Sequence, residues 1–327
     1  MSISTIRKRD ILALIAVVAI LLAMIPTIVL AADDTGEVTG TFQLGNSAPL
    51  VNSVALASSQ TTITPQVEQV INVDVTDNDT LDNLSTITVT VWYDNDGFHT
   101  TAPTSADNQT CAIFTWTKTG DTYSMTSPSG TWALHGVSPT LTTTNGVFAF
   151  HFTAGQVATE ASGTTDQWRI YAQATDAAAA SASNSQAGRA MAWYGEVVTS
   201  ASVNWGTVTA NSDFPVNKQT GFSVTYRANG NYTERVAADT SWTNSASLDV
   251  DGTPLTNEFS LMAWNSDTYG SAVLVKSTSA YTPLDTTGTQ TNEGGNPVNT
   301  NTLWLKVGTP FAGGLHSGTI YYQIVNR

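Results

Sequence analysis

Hydrophobic and polar residues alternate along several short segments of the chain, and the clearest alternation falls within residues 70–97. Ile71, Val73 and Val75 occupy every second position there, with polar residues between them. Residues 87–93 repeat the pattern after an acidic loop. Successive side chains of a β-strand point to opposite faces, so a period of two predicts strands that bury one face. We therefore predict two strands here, each with one side against a core.

The same alternation predicts strands throughout the rest of the chain. Many short strands separated by turn signals are typical of a β-sandwich. The predicted fold is therefore all-β, with two immunoglobulin-like β-sandwich domains. The further strands are expected at residues 50–56, 111–117, 121–125, 131–135, 146–153, 167–176 and 191–197, and then at residues 202–209, 222–226, 232–236, 246–252, 258–265, 271–275, 303–307 and 318–327.

Changes of pattern and composition divide the chain into four parts. Residues 1–32 are expected to form a signal peptide or membrane anchor, and residues 33–49 a free N-terminal strand with a linker. Residues 50–198 are assigned to the first sandwich and residues 199–327 to the second. Each sandwich segment is long enough to bury a core of ordinary size.

Three connecting segments carry expectations of their own. Residues 177–188 are rich in Ala and Ser and predict a flexible crossing. The Asn-Gly pair at 229–230 predicts a tight turn that joins residues 222–226 and 232–236 as a hairpin. Residues 277–301 contain so much Thr, Gly and Asn that we expect them not to pack.

The first 32 residues have the pattern of an export signal. Basic residues at 7–9 precede an apolar run over residues 11–32, which only Pro26 and Thr27 interrupt and which ends in two alanines. This arrangement predicts a cleaved secretory leader and an extracellular location. The same run is long enough to be retained as a membrane anchor. A third interpretation is the N-terminal helix of a type IV pilin-like subunit, against which Asp10 counts because a small residue is usual at that place.

The segment directly after the leader is an isolated amphipathic strand. Val38, Gly40, Phe42 and Leu44 alternate with polar residues, and the turn-forming residues 45–49 then separate the segment from the first sandwich. A free strand of this kind can fold back onto its own sheet or complete the sheet of a neighbouring molecule. We identify these four residues as candidate strand-donor positions.

Charge restricts the classes of partner. Only 12% of the 327 residues are charged, and 26 acidic residues outnumber 12 basic ones. The leader holds three of the basic residues and one acidic residue, which leaves 9 and 25 and a net charge of −16 on the rest of the chain. Such a surface repels nucleic acid and anionic lipid headgroups. Contact with a membrane is expected only through the N-terminal segment.

Cys111 is the single cysteine, so no disulfide can form within the chain. In an exported protein a lone cysteine is either a free thiol or the site of an intermolecular link. The surrounding sequence Cys-Ala-Ile-Phe-Thr-Trp is typical of a buried strand. We therefore predict an inert thiol in the core, where cysteine behaves as a small hydrophobic residue.

Two pairs of segments carry a resemblance to known domains. Residues 64–97 together with residues 166–176 resemble immunoglobulin-like and cadherin-like sandwich domains of prokaryotic secreted surface proteins. Residues 202–208 with the ending over 303–326 are similar to the terminal sandwich domains of such proteins. The resemblance covers most of the chain beyond the leader but is architectural. It implies cell-surface structure or adhesion, and it transfers no catalytic residue to this sequence.

Acidic residues cluster around the first pair of strands. Calcium takes six to eight oxygen ligands, many of them carboxylates, so a calcium site is one interpretation of this cluster. The alternative is ordinary turn formation, in which Asp and Asn are common. The spacing is not that of an EF-hand, because no Glu ends a twelve-residue loop that begins at Asp94. The candidate ligands are Asp74, Asp77, Asp79, Asp94 and Asp96, and apart from this possible calcium site no cofactor is expected.

Sugars could meet this protein in two ways. Asn78, Asn83, Asn108 and Asn231 each begin a glycosylation sequon. Nine tryptophans could in addition stack on sugar rings, although most stand within strand patterns, where sandwich cores normally place them. Trp92 and Trp304 fall on the nominally polar faces of their strands.

No pattern in the sequence indicates catalysis. His99, His135, His151 and His316 are far apart, and neither a metal-binding histidine spacing nor a Gly-x-Ser-x-Gly motif occurs. We predict a non-enzymatic surface protein, in particular a subunit of a filament or surface layer that assembles with other copies by strand donation. The alternative is an adhesin or carbohydrate-binding module whose partners are glycans or cell-envelope components. A membrane-anchored enzyme is a third and less supported hypothesis.

Overall fold

A computed structural model of the chain describes Ala16 and residues 39–42, 45–126, 130–198, 202–210, 213–295 and 299–327. Strands make up 51% of the structure, and no described helix is as long as seven residues. The fold is therefore all-β with several sheets, as the alternation predicted. The residues from Asn46 onward form one compact unit, separate from the residues before them. Apart from Ala16, the leader lies outside the described residues, among which no helix is long and apolar enough to cross a membrane.

The first sandwich packs a four-stranded sheet against a six-stranded sheet. Its strands are β1 (Leu50–Leu56), β2 (Thr62–Ile63), β3 (Glu68–Thr76), β4 (Leu84–Asp94), β5 (Cys111–Thr117), β6 (Thr122–Thr126), β7 (Ala133–Leu141), β8 (Asn145–Thr153), β9 (Gln167–Asp176) and β10 (Ser181–Met191). The strand order is β1-β3-β8-β7 in one sheet and β2-β10-β9-β4-β5-β6 in the other. All neighbours are antiparallel except β2 and β10.

The core of the first sandwich lies where the alternation placed it. Ile71, Val73 and Val75 on β3 are fully buried, and every second residue of β8 and β9 is buried as well. Trp168 is the largest side chain at the centre, with its ring 5.8 Å from that of Trp132. Burial of a large apolar side chain stabilises a fold by about 1.5–3 kcal/mol. Without a disulfide, packing of this kind provides the main stabilisation.

The second sandwich begins before the predicted boundary. Its strands are β11 (Gly195–Val197), β12 (Lys218–Val224), β13 (Tyr226–Ala228), β14 (Tyr232–Ala238), β15 (Ser241–Trp242), β16 (Ala246–Leu248), β17 (Glu258–Trp264), β18 (Val273–Leu274), β19 (Lys276–Ser277), β20 (Thr282–Gly288), β21 (Asn299–Val307) and β22 (Ile320–Asn326). One sheet has the order β12-β21-β17-β16-β15, with β18 also on β17. In the other, β14 pairs with β22, β20 and β19. Short 3-10 helices lie at Ala57–Ser59, Leu81–Asn83, Phe214–Val216 and Tyr269–Ser271.

Several predicted connections differ from the structure. Residues 177–188, expected to form a flexible crossing, contain most of β10, whose small residues are alternately exposed and half-buried while the backbone pairs with β9. The backbone ladder thus outweighs the low hydrophobicity of this segment. Residues 202–209 form no strand, whereas β20 lies within the stretch that was expected not to pack. The segment predicted as a strand at residues 191–197 is divided between β10 and β11.

The predicted hairpin around residues 229–230 is also wrong. Strand β13 pairs with β11, and β14 pairs with β22 and β20, so the two strands flanking Asn229 belong to different sheets. The Asn-Gly pair forms a crossing from one sheet to the other. Because β11 precedes residue 199 and pairs with β13, the second sandwich takes its first strand from the segment that the sequence assigned to the first.

Candidate functional site

The acidic residues predicted to gather one calcium ion lie at two opposite ends of β4. Asp77 and Asp79 stand in the loop before this strand, and Asp94 and Asp96 stand at its end. Strand β4 has 11 residues. At about 3.3 Å per residue its ends are about 33 Å apart. Asp74, on β3, accepts a hydrogen bond from Asn52 at 3.3 Å. One site that uses all five carboxylates is therefore excluded by the geometry.

The carboxylates before β4 hold the start of the compact unit in place. Asp77 is fully buried, and its Oδ1 accepts the backbone N–H of Asp79 at 3.0 Å, while its Oδ2 has no hydrogen-bond partner in the part of the chain that the structure describes. Asp79 in turn accepts the N–H of Ser47 at 2.6 Å. Asn46 donates to the buried Asp176 at 2.7 Å, and this hydrogen bond lowers the pKa of Asp176. These contacts fix residues 46 and 47, which directly follow the N-terminal segment.

The carboxylates after β4 form an ion-pair cluster. The Nε of Arg169 lies 2.6 Å from Oδ2 of the buried Asp94, and its Nη2 donates to the carbonyl of Gly97 at 2.8 Å. The Nδ1 of His99 lies 3.1 Å from Asp94 and 3.0 Å from Asp96. Burial by itself would raise the pKa of Asp94, but the hydrogen bonds from Arg169 and His99 outweigh it and lower this pKa. The hydrogen bond to Asp94 and the charge of Asp96 raise the pKa of His99.

Asp94, Asp96 and His99 could together hold a metal ion. Within the described ranges, they form the one group of three His, Cys, Asp or Glu side chains that lie close enough together to do so. Arg169 already neutralises Asp94, so a cation at this place would meet the positive charge of the guanidinium. The geometry favours a structural ion pair between β4 and β9. Calcium binding therefore stays a prediction at either end of β4.

The other three histidines lie apart from this cluster, and two of them, His135 and His151, stand on the paired strands β7 and β8. His135 contacts Thr153 at 2.7 Å, and His151 contacts Glu68 at 3.0 Å. His316 contacts the backbone carbonyls of Thr243 and Ala312, and its ring lies 4.8 Å from that of Phe311. A histidine that acts as a general base has to lie within hydrogen-bond reach of a reacting group. These contacts do not test the prediction that the chain is not an enzyme.

The tryptophans are covered by protein. All nine are buried or half-buried, and the ring of Trp304 is 5.6 Å from that of Tyr269. Trp92 packs with Cys111 and Ile113 beneath a loop that contributes Ala102. Loops thus cover the outer faces on which sequence patterns placed Trp92 and Trp304. Trp92 and Trp304 are therefore not available to stack on a sugar, and carbohydrate binding stays a prediction for the half-buried tryptophans.

The four glycosylation sequons differ in accessibility. Asn78 and Asn231 are exposed. Asn83 is half-buried, its amide nitrogen donates to Asn46 at 2.9 Å, and its amide oxygen accepts from Ala177 at 3.3 Å. Asn108 is half-buried in a loop of the first sandwich. A glycan on the Asn83 nitrogen would break an existing contact, so Asn78 and Asn231 are the better placed acceptors.

Cys111 lies inside the protein, as the sequence predicted. Burial, with a smaller effect of the nearby Asp107, raises the pKa of its thiol to about 12. Thiol reagents attack the thiolate, so we expect the folded protein to react with an aromatic disulfide reagent at pH 8 far more slowly than the unfolded protein. Equal rates in buffer and in denaturant would contradict this placement.

Polar groups join the two sandwiches in an interface that sequence reasoning missed. Asn229 is fully buried, and its amide nitrogen donates to the carbonyls of Ala158 at 2.8 Å and Ala192 at 2.9 Å. Its amide oxygen accepts the N–H of Tyr194 at 2.7 Å. The backbone N–H of Glu160 donates to the carbonyl of Asn229 at 2.9 Å. These bonds hold the crossing between sheets of the second sandwich against the first.

The candidate strand donor is described only in part. Residues 39–42 belong to no strand and are exposed, with 89% of Phe42 accessible to solvent. A Cβ atom added to Gly40 would find no neighbour within 4 Å. Val38 and Leu44, the other two predicted donor positions, lie outside the described residues.

Comparison with known proteins adds no relative to this picture. No protein-family model matches the chain, and no curated protein matches its sequence. The functional conclusion therefore depends on the residues and contacts described above.

Proposed function

We propose that this chain is a non-enzymatic, extracellular structural subunit that assembles into a filament or surface layer. The N-terminal leader directs export. Residues 37–44 extend away from their own protomer and add a strand to a sheet of a neighbouring copy. The observation that carries the proposal is the exposure of Phe42, at 89%, within a segment of alternating apolar residues. A free strand with one apolar side gains main-chain hydrogen bonds and burial when it completes another sheet.

The energy available to such a contact is considerable. Val38, Phe42 and Leu44 would each contribute roughly 1.5–3 kcal/mol on full burial. Residues 38–44 carry no charge, so the donor does not add to the repulsion between copies whose net charge is −16 beyond the leader. Because that repulsion is screened by salt, assembly should strengthen as ionic strength rises. A head-to-tail contact does not close on itself, and open polymers follow.

Deletion of residues 33–45 tests this function. We expect the full mature protein to form polymers that electron microscopy detects, and the deletion variant to remain a folded monomer in sedimentation experiments. The matched control replaces Thr39 and Thr41, on the polar side of the segment, with alanine and should still assemble. Polymers of unchanged form and amount from the deletion variant would refute strand donation.

A further inference from the structure

One edge of strand β22 is unpaired among the described residues, so another β-strand could add to it. Ile320–Asn326 pairs with β14 on one side, and among the described residues no backbone hydrogen bond reaches its other side. The strand contains neither a charged residue nor a proline. Natural proteins usually guard exposed edges with charges, prolines or bulges, because an open edge recruits another strand. This edge of seven uncharged residues therefore indicates a site to which another strand binds.

The chain that enters the second sandwich lies close to this strand without pairing to it, and β11 packs beside the end that holds Ile324. A Cβ atom added to Gly195 would lie 2.9 Å from the side chain of Ile324, near one end of β22. The ring of Trp205 lies 6.4 Å from that of Trp242, and Trp242 touches Gly318 just before β22 begins. Residues 202–208 are alternately exposed and half-buried as far as Gly206, but their backbone makes no hydrogen bond to the backbone of another described residue.

These residues cover the second core only through side chains. Val203, Trp205 and Val208 pack against it from the outside. The indole N–H groups of Trp205 and Trp242 are both buried and have no hydrogen-bond partner among the described residues. A buried polar group without a partner costs about 1–3 kcal/mol. Movement of residues 202–208 away from the edge would thus break no backbone ladder, but it would uncover Val203, Trp205 and Val208, whose contacts with the core the incoming strand would have to replace.

We propose that the outer edge of β22 accepts residues 37–44 of a second copy as an antiparallel strand, with Phe42 opposite Tyr322 and Leu44 opposite Ile320. The inference rests on the proposed function and adds the acceptor to it. The donor has eight residues and the edge has seven. Directly opposite residues of an antiparallel pair share a face. In this register the apolar side of the donor continues the row formed by Ile320, Tyr322 and Ile324, which face the core.

Two further matches support this register. Gly40 falls opposite Ile324, which shares a cluster with Trp193 and Val197 and lies close to Gly195, so a larger side chain would find little room. Glu37 falls opposite Arg327, directly after β22, so that opposite charges meet there. A shift of one residue would turn Phe42 and Leu44 toward solvent, since neighbouring positions face opposite sides.

Cross-linking between two variants tests the acceptor. One carries Gln43→Cys and the other carries Tyr321→Cys, which lie opposite each other in the proposed register. After the variants are mixed, assembled and oxidised, we expect a covalent dimer in denaturing electrophoresis. The matched control replaces Gln43→Cys with Thr39→Cys, on the same side of the donor but four residues away, and the cross-link should be lost. Circular dichroism and electron microscopy check that each variant folds and assembles.

The possible failures are distinguishable. A cross-link from Gln43→Cys to Tyr123→Cys, on the edge strand β6, but not to Tyr321→Cys would overturn the acceptor and keep strand donation. Equal cross-linking from Gln43→Cys and Thr39→Cys would overturn the register. A disulfide within one chain of the double variant Gln43→Cys/Tyr321→Cys, with no dimer, would show that the strand folds back on its own sheet. The same polymers without residues 33–45 would overturn the proposed function itself.

Discussion

Replacement of Asp94 by alanine is expected to lower the free energy of unfolding by about 3 kcal/mol, because it removes one partner of a buried ion pair. Asp94 is fully buried, and Arg169 is 13% exposed and lies 2.6 Å away. The variant would leave the guanidinium largely without a counter-charge. The loss should fall at the lower end of the range for buried pairs, since Arg169 keeps its bond to Gly97 and its contact with the ring of Trp92. Urea denaturation measures the change.

The effect should depend on pH in a defined direction. The folded state lowers the pKa of Asp94, so its contribution is present above the unfolded value of about 4 and is lost as the pH falls through the folded pKa. The folded state raises the pKa of His99, so that contribution is present below about pH 6.5 and is lost as the pH rises through the folded pKa. The difference between the native protein and the variant should be greatest between these limits.

Asp96→Asn is the matched control for Asp94. Its side chain is 47% exposed and contacts His99, a turn N–H and the Asp94 carboxyl. An exposed contact of this kind contributes no more than about 1 kcal/mol. If Asp94→Ala and Asp96→Asn lowered the free energy of unfolding equally, the buried ion pair with Arg169 would stabilise the fold no more than an exposed contact does.

Replacement of Asn229 by alanine is expected to cost a similar amount, about 3 kcal/mol, since each buried polar group left unpaired costs about 1–3 kcal/mol. The side chain satisfies the carbonyls of Ala158 and Ala192 and the N–H of Tyr194. Its removal leaves all three without a partner unless water enters. Because these groups join the two sandwiches, amide exchange of Tyr194 should accelerate more than exchange within the core of either sandwich.

The control for this substitution is two residues away. Asn231 has the same side chain but is exposed, and Asn231→Ala should change the free energy of unfolding by less than about 0.5 kcal/mol. Denaturation curves of the two variants give the comparison. If Asn229→Ala behaved like Asn231→Ala, the interface would not depend on the buried amide.

Strong alternation made much of the first sandwich predictable. Ile71, Val73 and Val75 are buried as their spacing indicated, and the strands at Leu50–Leu56 and Cys111–Thr117 have the predicted bounds. In these segments, hydrophobic pattern and β-propensity agree. Strand β10 escaped prediction because most of its residues are small or polar and its inner face is mostly half-buried, which leaves almost no hydrophobic signal in the sequence.

Features that depend on three-dimensional contacts were not predictable. The Asn-Gly pair at 229–230 is common in hairpin turns, and only the pairing partners of β13 and β14 show that it crosses between sheets. The five candidate calcium ligands are close in sequence, but the intervening strand β4 separates them. Trp92 lies on a face of its strand that looks polar in the sequence. The alternation within the strand does not reveal that a later loop covers this face.

Electron cryomicroscopy of the assembled mature protein tests strand donation most directly. The proposal predicts that residues 37–44 of one copy lie as an added antiparallel strand beside β22 of the next, with Phe42 covered by the second core. Polymers in which each chain keeps residues 37–44 within its own sheet, or in which this segment stays in solvent, would contradict it.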